Sequence, residues 1–225
     1  MEFLFDTTNI ADIERFGACF PYTGVTSNPS ILRKDGQTEV FDTFRRIRSV
    51  VGMERSLHVQ VVGAARDDMV KEAETILDRV DDEVYIKVPT TEEGLAAMQL
   101  LKQRGVRVTA TAVYTRLQGF MAVAAGADYI APYVNRVSDV DVDPRTLIAS
   151  IAKMIEAHKA PTKIVAASFK NITQVNEALL AGAHAVTVQP RLLHGAFGAA
   201  AIGKAVNDFA ADWHSIVGDT NFAAL

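Results

Sequence analysis

The run Val84-Tyr85-Ile86-Lys87-Val88-Pro89 places one ammonium group among apolar neighbours. Burying that charge is expensive unless something compensates it. Lys87 is therefore half of a buried ion pair, a snorkelling lysine on an edge strand, or an amine kept neutral to attack a carbonyl carbon. A free lysine, with a pKa of about 10.4, is neutral about once in a few thousand molecules at pH 7, so the third role requires desolvation or nearby positive charge. The apolar run supplies desolvation. Attack on a ketone would give a carbinolamine and then a protonated imine, whose nitrogen draws electrons from an adjacent carbon–carbon bond. Each step moves a proton, and Asp6, Gln60, Thr111 and Tyr133 are suited to transfer it or to hold a water that does. Arg136 and Ser168 offer donors for a phosphate, although an arginine at a rim is commonly a solvated or paired surface charge.

These residues recur at a regular interval. Asp6, Asn28, Gln60, Lys87, Thr111, Tyr133 and Ser168 run from position 6 to 168, six steps over 162 residues or about 27 per step, the pitch of a βα unit when a chain this long is cut into eight. Two junctions repeat, Ala125-Gly126-Ala127-Asp128-Tyr129-Ile130 and Ala181-Gly182-Ala183-His184-Ala185-Val186. Their glycines, 126 and 182, are 56 residues apart, two such units. The β-branched runs predict strands near 2–6, 24–27, 57–62, 84–88, 106–112, 128–133, 163–168 and 185–188. Thr90 to Glu93 and Thr115 to Gln118 have capping-box spacing, and Asn171 to Gln174 marks a related helix start. Gly105, Gly126 and Gly182 mark helix ends. The expected fold is a single (βα)8 TIM barrel over residues 1–225.

Alternation along each strand then assigns faces. Val84, Ile86 and Val88 are expected to cover the helices, with Tyr85 and Lys87 in the barrel. Leu57, Val59 and Val61 face out against His58 and Gln60. Val106, Val108, Ala110 and Ala112 face out against Arg107, Thr109 and Thr111, and Val165 and Ala167 face out against Ala166 and Ser168. The seven polar residues would then ring the C-terminal mouth, where barrel enzymes keep their sites. Hydrogen-bonded interior filler is the competing reading of that ring.

Composition narrows the class. Of 225 residues, 49% are hydrophobic, enough for a large core, and the formal charge of −4 with no basic block gives no electrostatic reason to expect nucleic acid. No stretch reads as a membrane span or signal peptide, so a cytoplasmic protein is expected. Cys19 stands alone and reads as a small buried hydrophobe. The five histidines show no metal-ligand spacing, and His58 reads as a hydrogen-bonded interior residue.

Six segments carry a resemblance that runs, in order, along essentially the whole chain: Phe5-Asp6-Thr7, Gly24-Val25-Thr26-Ser27-Asn28-Pro29-Ser30, Ile86-Lys87-Val88-Pro89, Thr111-Ala112-Val113-Tyr114, Ala131-Pro132-Tyr133-Val134-Asn135-Arg136 and Ala166-Ala167-Ser168-Phe169-Lys170. Together they resemble the small transaldolase and fructose-6-phosphate aldolase family. The resemblance implies that Lys87 is a Schiff-base lysine and that Asp6 assists proton transfer. It places Thr26 and Asn28 beside the dihydroxyacetone part of the substrate. Gln60, Thr111 and Tyr133 would hold a catalytic water, with Tyr133 the acid/base, and Arg136 and Ser168 would bind the sugar phosphate. It further implies no metal or organic cofactor, and a homo-oligomeric ring, often of ten subunits. In such a ring a C-terminal helix, here about 204–217 with Phe209, Trp213 and Ile216 as its apolar stripe, packs on a neighbour.

Two positions discriminate activities within that resemblance. Transaldolases carry glutamate and phenylalanine where this chain has Gln60 and Tyr133, and the aldolases carry glutamine and tyrosine. A phenol donates and accepts a proton and a phenyl ring cannot, so Tyr133 favours release of dihydroxyacetone by water over its transfer to an aldose. Ser27 departs from a more usual threonine. The acidic stretch Ser138-Asp139-Val140-Asp141-Val142-Asp143 replaces a glycine-rich loop, and Gln189-Pro190 has no assigned role. The alternatives to an aldolase are a transaldolase, a phosphosugar isomerase on the same fold, and a non-catalytic phosphosugar-binding barrel.

Overall fold

The computed structural model describes residues 1–139 and 141–224. Eight parallel strands close a barrel in sequence order: β1 (Glu2–Asp6), β2 (Gly24–Thr26), β3 (Ser56–Gln60), β4 (Tyr85–Pro89), β5 (Val108–Val113), β6 (Tyr129–Pro132), β7 (Lys163–Ala166) and β8 (Ala185–Val188). The helices are α1 (Ile10–Gly17), α2 (Pro29–Lys34), α3 (Val40–Val51), α4 (Arg66–Arg79), α5 (Glu92–Gln103), α6 (Arg116–Ala124), α7 (Val134–Ser138), α8 (Pro144–Ala157), α9 (Ile172–Leu180), α10 (Pro190–Phe197) and α11 (Ala200–Val217). The expected (βα)8 barrel is therefore the fold, with strand ends displaced by at most a few residues. The C-terminal helix begins four residues earlier than 204.

Local chemistry explains most helix ends. Thr115 and Gln118 form the reciprocal capping box, and the Asn171 side chain accepts from the Gln174 amide. The Thr90–Glu93 box does not form. Thr91 caps α5 instead, because Thr90 turns inward and donates its hydroxyl to the Thr111 carbonyl oxygen at 2.9 Å, while Glu93 accepts from the Arg66 amide. Gly94 in α5 is required by close approach, since a Cβ there would lie 1.8 Å from the Pro89 carbonyl oxygen. That contact seats α5 directly on the strand that carries Lys87.

The core has two layers. Between strands and helices lie Phe5, Val25, Leu57, Val59, Ile86, Val88, Val108, Ile130, Ile164 and Val186, against Ile13, Phe44, Ile47, Met69, Met98, Leu101 and Ile151. Each such side chain contributes roughly 1.5–3 kcal/mol on burial. Inside the barrel, Leu4, Tyr85, Tyr129, Ala131, Val165 and Ala185 close the floor. The expected faces of β3 and β4 hold, and His58 is fully buried, bonded to Thr109 and Ser56 and stacked on Tyr85.

Three expectations fail. Strand β7 has the opposite parity: Val165 fills the floor and Ala166 packs towards the helices. Ala167 and Ser168 both reach the mouth, because Ser168 takes a left-handed backbone (φ 67°) that breaks the alternation. In β5 the register shifts between Ala110 and Val113, with Ala112 at φ 54°, so Val113 returns to the helix-facing layer. Cys19 is exposed; it follows the end of α1, where Phe16 occupies the buried position.

Candidate active site

Strand register builds the site. Asp6 pairs with Thr26 across β1–β2, Gln60 with Lys87 across β3–β4, and Pro89 with Thr111 across β4–β5. Polar side chains at the strand ends therefore meet at the C-terminal mouth. Lys87 is 3% exposed, and its Nζ donates to the Ser27 carbonyl oxygen at 2.9 Å. Ser27 is anchored in turn, its amide and its hydroxyl both donating to the His58 carbonyl oxygen at 3.0 Å. A serine hydroxyl meets that requirement as a threonine would.

No carboxylate lies within 4.0 Å of the Lys87 amine among the described residues, so the buried-ion-pair reading of Lys87 fails, and its burial removes the snorkelling one. Burial pushes its pKa below the ordinary lysine value, and the more distant Asp6 partly opposes that shift. Burial likewise raises the Asp6 pKa, against the charges of Lys87 and Lys34 and the bond from Thr26. Thr26 donates to Asp6 Oδ1 at 2.7 Å and, its hydrogen thus committed, accepts from Thr187 at 2.6 Å. Opposite, the Tyr133 hydroxyl is 2.9 Å from Thr111 Oγ1, and burial raises its pKa as well. The Arg136 guanidinium lies 5.1 Å from the Tyr133 ring centroid.

Six of the nine sequence-derived residues, Asp6, Asn28, Lys87, Tyr133, Arg136 and Ser168, line one cavity of about 440 Å³. Thr26 and Thr111 stand behind it, bonded to Asp6 and Tyr133. Gln60 lies instead on a larger apolar groove of about 650 Å³ between α2, α3 and α4, which also reaches Ser27 and Asn28. Its Oε1 is buried without a hydrogen-bond partner among the described residues, so it has a free lone pair for a water or a substrate hydroxyl. Asn28 caps α2 by accepting from the Ile31 amide, which fixes it at the cavity edge.

Lys34, Asn135, Lys170, Thr187 and Gln189 also line the cavity and were not among the expected site residues. Gln189 directly follows β8 and would have completed the ring as its eighth member. Lys34 ends a six-residue helix, too short for periodicity to say which way it faces. Of the acidic stretch, Asp139 lines the cavity and Asp143 caps α8, while Val140 lies outside the described residues.

A desolvated amine flanked by a carboxyl group and a phenol, under a rim of cations, is equipped to form and hydrolyse an imine on an anionic ketone. Comparison with known proteins agrees with that chemistry. The family model described as transaldolase/fructose-6-phosphate aldolase matches residues 3–219. A protein of Streptococcus pneumoniae (strain ATCC 700669 / Spain 23F-1) named "Probable fructose-6-phosphate aldolase" is 44% identical over 216 residues, covering 96% of this chain and 97% of that protein. With an eight-stranded barrel and a family match along nearly its whole length, this chain belongs to the transaldolase/fructose-6-phosphate aldolase family.

Proposed function

We propose that the protein is a class I aldolase that cleaves fructose 6-phosphate to dihydroxyacetone and glyceraldehyde 3-phosphate, and runs the reverse addition, through a Schiff base on Lys87. The observation that carries this reading is the nearly inaccessible Lys87 amine, bonded among the described residues only to a neutral carbonyl and facing the same cavity as Asp6 and Tyr133. The neutral amine adds to C2 of the ketose, and loss of one water gives the imine. Removal of the C4 hydroxyl proton breaks the C3–C4 bond, and its electron pair moves to the protonated imine nitrogen. Glyceraldehyde 3-phosphate leaves, the enamine takes a proton at C3, and water releases dihydroxyacetone. The amine is itself the electron sink, so these steps need no added cofactor.

In this reading Asp6 and Tyr133 carry the protons, and Thr111 and Gln60 hold the water. Thr26 and Asn28 serve the dihydroxyacetone end, and Arg136 and Ser168 bind the phosphate. The relative's printed name and the Tyr133 phenol both favour cleavage over transfer. A cytoplasmic homo-oligomer, a ring of up to ten subunits, completes the proposal. Its support is α11, which buries no residue of its own while Ile202, Val206, Phe209 and Ile216 stand exposed, as a helix made to pack on a neighbour would. No helix of the described residues is long and apolar enough to cross a membrane.

The test is incubation with fructose 6-phosphate alone, assay of both products, and borohydride reduction with peptide mapping. Release of both products with the adduct on Lys87 is expected. Turnover that requires erythrose 4-phosphate would make the protein a transaldolase. Isomerisation without an adduct would make it an isomerase, and binding without turnover a non-catalytic barrel.

A further inference from the structure

The loops after β6 and β7, which carry Arg136 and Ser168, are tied together at three points. The Val134 amide donates to the Ala167 carbonyl oxygen at 2.9 Å, and the Asn135 amide donates to the Ser168 carbonyl oxygen at 3.0 Å. Gln174, in the first turn of α9, makes the third tie. Its Oε1 accepts from the Lys170 amide at 2.7 Å, and its Nε2 donates to Asn135 Oδ1 at 3.3 Å. Its own amide is held by the Asn171 cap at 2.9 Å. Asn135, Arg136 and Ser168 all line the cavity, and Gln174 stands behind them.

Gln118 holds the matching place in α6. Its Oε1 accepts from the Tyr114 and Thr115 amides, and its Nε2 donates to the Thr90 carbonyl oxygen at 2.8 Å. That donor ends on backbone, so it fixes a loop and nothing more. The Gln174 donor ends instead on a side chain whose two ends are chemically opposite. A backbone N–H can only donate, so the Lys170 amide fixes which end of Gln174 is oxygen; Nε2 can only donate, so it fixes which end of Asn135 faces it. With Oδ1 engaged there, the end of Asn135 left to the cavity is Nδ2, a donor.

A phosphate dianion only accepts. We propose that Asn135 is a further phosphate-binding residue for the phosphorylated aldehyde, and that Gln174 is its positioning residue, setting the sign of that contact. This rests on the aldolase reading, with the phosphate at Arg136 and Ser168. While Gln174 donates to Oδ1, the Asn135 carboxamide gives the phosphate a neutral donor beside the guanidinium. With an acceptor in place of that donor, the carboxamide turns to satisfy it and presents Oδ1 to the phosphate, so an attractive contact becomes a repulsive one.

The test is the addition of dihydroxyacetone to glyceraldehyde 3-phosphate and, separately, to glyceraldehyde, read as the ratio of the two kcat/KM values. The parent should favour the phosphorylated aldehyde. Asn135→Ala should lower the ratio about tenfold, the usual size of one hydrogen bond to a charged group. Gln174→Glu keeps an acceptor for the Lys170 amide and suits a helix N-terminus, so the fold is retained; its ratio should fall further than that of Asn135→Ala. Combined with Asn135→Ala, Gln174→Glu should add nothing, because no carboxamide is left to turn. Borohydride trapping of dihydroxyacetone on Lys87 in every variant checks the fold and the nucleophile apart from the phosphate. A loss shared equally by both acceptors in Asn135→Ala, a parent without preference for the phosphorylated aldehyde, or a Gln174→Glu effect that persists in the double variant overturns this inference and leaves the aldolase standing. A parent that gives neither addition nor adduct overturns the aldolase reading as well.

Discussion

Lys87 Nζ and the Ser27 carbonyl oxygen are 2.9 Å apart, joining the middle of β4 to the residue just beyond β2. The contact aims the amine while leaving its charge unpaired, which is the arrangement a nucleophile needs and a structural ion pair avoids. Lys87→Arg is expected to lower turnover by at least about 10³ and abolish the borohydride adduct, because a guanidinium forms no imine. Lys87→Met should be equally inactive yet no less stable than the parent by more than about 1 kcal/mol, since it replaces a desolvated amine by an apolar chain of similar length. Urea unfolding and peptide mapping check both. Adduct formation in either variant, or marked unfolding of Lys87→Met, would contradict the role given to the amine.

Asp6 sets how far the Lys87 pKa can fall. Burial disfavours the ammonium and the Asp6 charge favours it. Asp6→Asn removes the favourable charge, so the ammonium loses support and Lys87 titrates at lower pH than in the parent. Competitive labelling of the Lys87 amine across pH measures both midpoints. In each protein labelling should rise with pH, with a midpoint below that of an ordinary lysine. An unchanged midpoint in the variant would mean that Asp6 is protonated throughout and does not act on the amine by charge.

Tyr133 and Thr111 share one hydrogen bond at 2.9 Å. Tyr133→Phe is expected to slow cleavage by about 10², within the range of one lost acid–base group. Exchange between aldoses should slow less, because it omits hydrolysis of the imine. Thr111→Val, which only loosens the phenol, should cost about tenfold. The double variant should be no slower than Tyr133→Phe, because two residues acting through one proton are not additive. Steady-state rates for cleavage and for transfer to erythrose 4-phosphate decide this, and equal loss of both reactions would remove Tyr133 from the hydrolytic step.

How much of this was legible in the sequence depends on which physical rule governs each residue. Alternation is strict where a strand is straight, so Lys87, Gln60 and His58 were placed correctly from parity alone. It failed at Ser168 and Ala112, where a left-handed residue resets the count, and neither is a glycine that would have announced it. The Thr90–Glu93 box had the right spacing and lost to a tertiary partner, the Thr111 carbonyl. Lys34 was missed because a six-residue helix carries no periodic signal and its partner, Gln189, is 155 residues away. Gln60 was placed on the right face, but pattern could not show that its carboxamide lies on the groove rather than the cavity.

His58 makes stability depend on pH. Its pKa is held well below 6.5, first by burial and then by the charges of Lys87 and Arg48. The unfolded chain binds a proton there as pH falls through about 6.5 and the folded chain does not, so stability rises with pH across this window and is lost below it. His58→Gln keeps a polar interior side chain without titrating, so its urea midpoint should fall less between pH 7 and pH 5 than that of the parent. Parallel curves would show that other groups dominate acid unfolding.

Ala112 holds the bulge on which the Thr111–Tyr133 contact depends. The register pairs Ala110 with Ile130 and then Val113 with Pro132, so β5 uses one more residue than β6 over that interval. The left-handed Ala112 takes up the excess. Without it, Val113 would exchange its place in the helix-facing core for one on the mouth. For alanine this conformation costs roughly 1–2 kcal/mol, which glycine would avoid, at the expense of a larger unfolded-state entropy of about 0.4–1 kcal/mol. Ala112→Gly is therefore expected to change stability by less than about 1 kcal/mol and to keep activity. A β-branched residue is a much poorer occupant of that region. Ala112→Val should destabilise by more than about 2 kcal/mol or shift the register, in either case moving Thr111 off the phenol. Cleavage should then fall to the level of Tyr133→Phe while the Lys87 adduct still forms, because β4 and its bond to Ser27 lie outside the bulge. Parent-like stability and turnover in Ala112→Val would mean that the bulge does not position the acid–base pair.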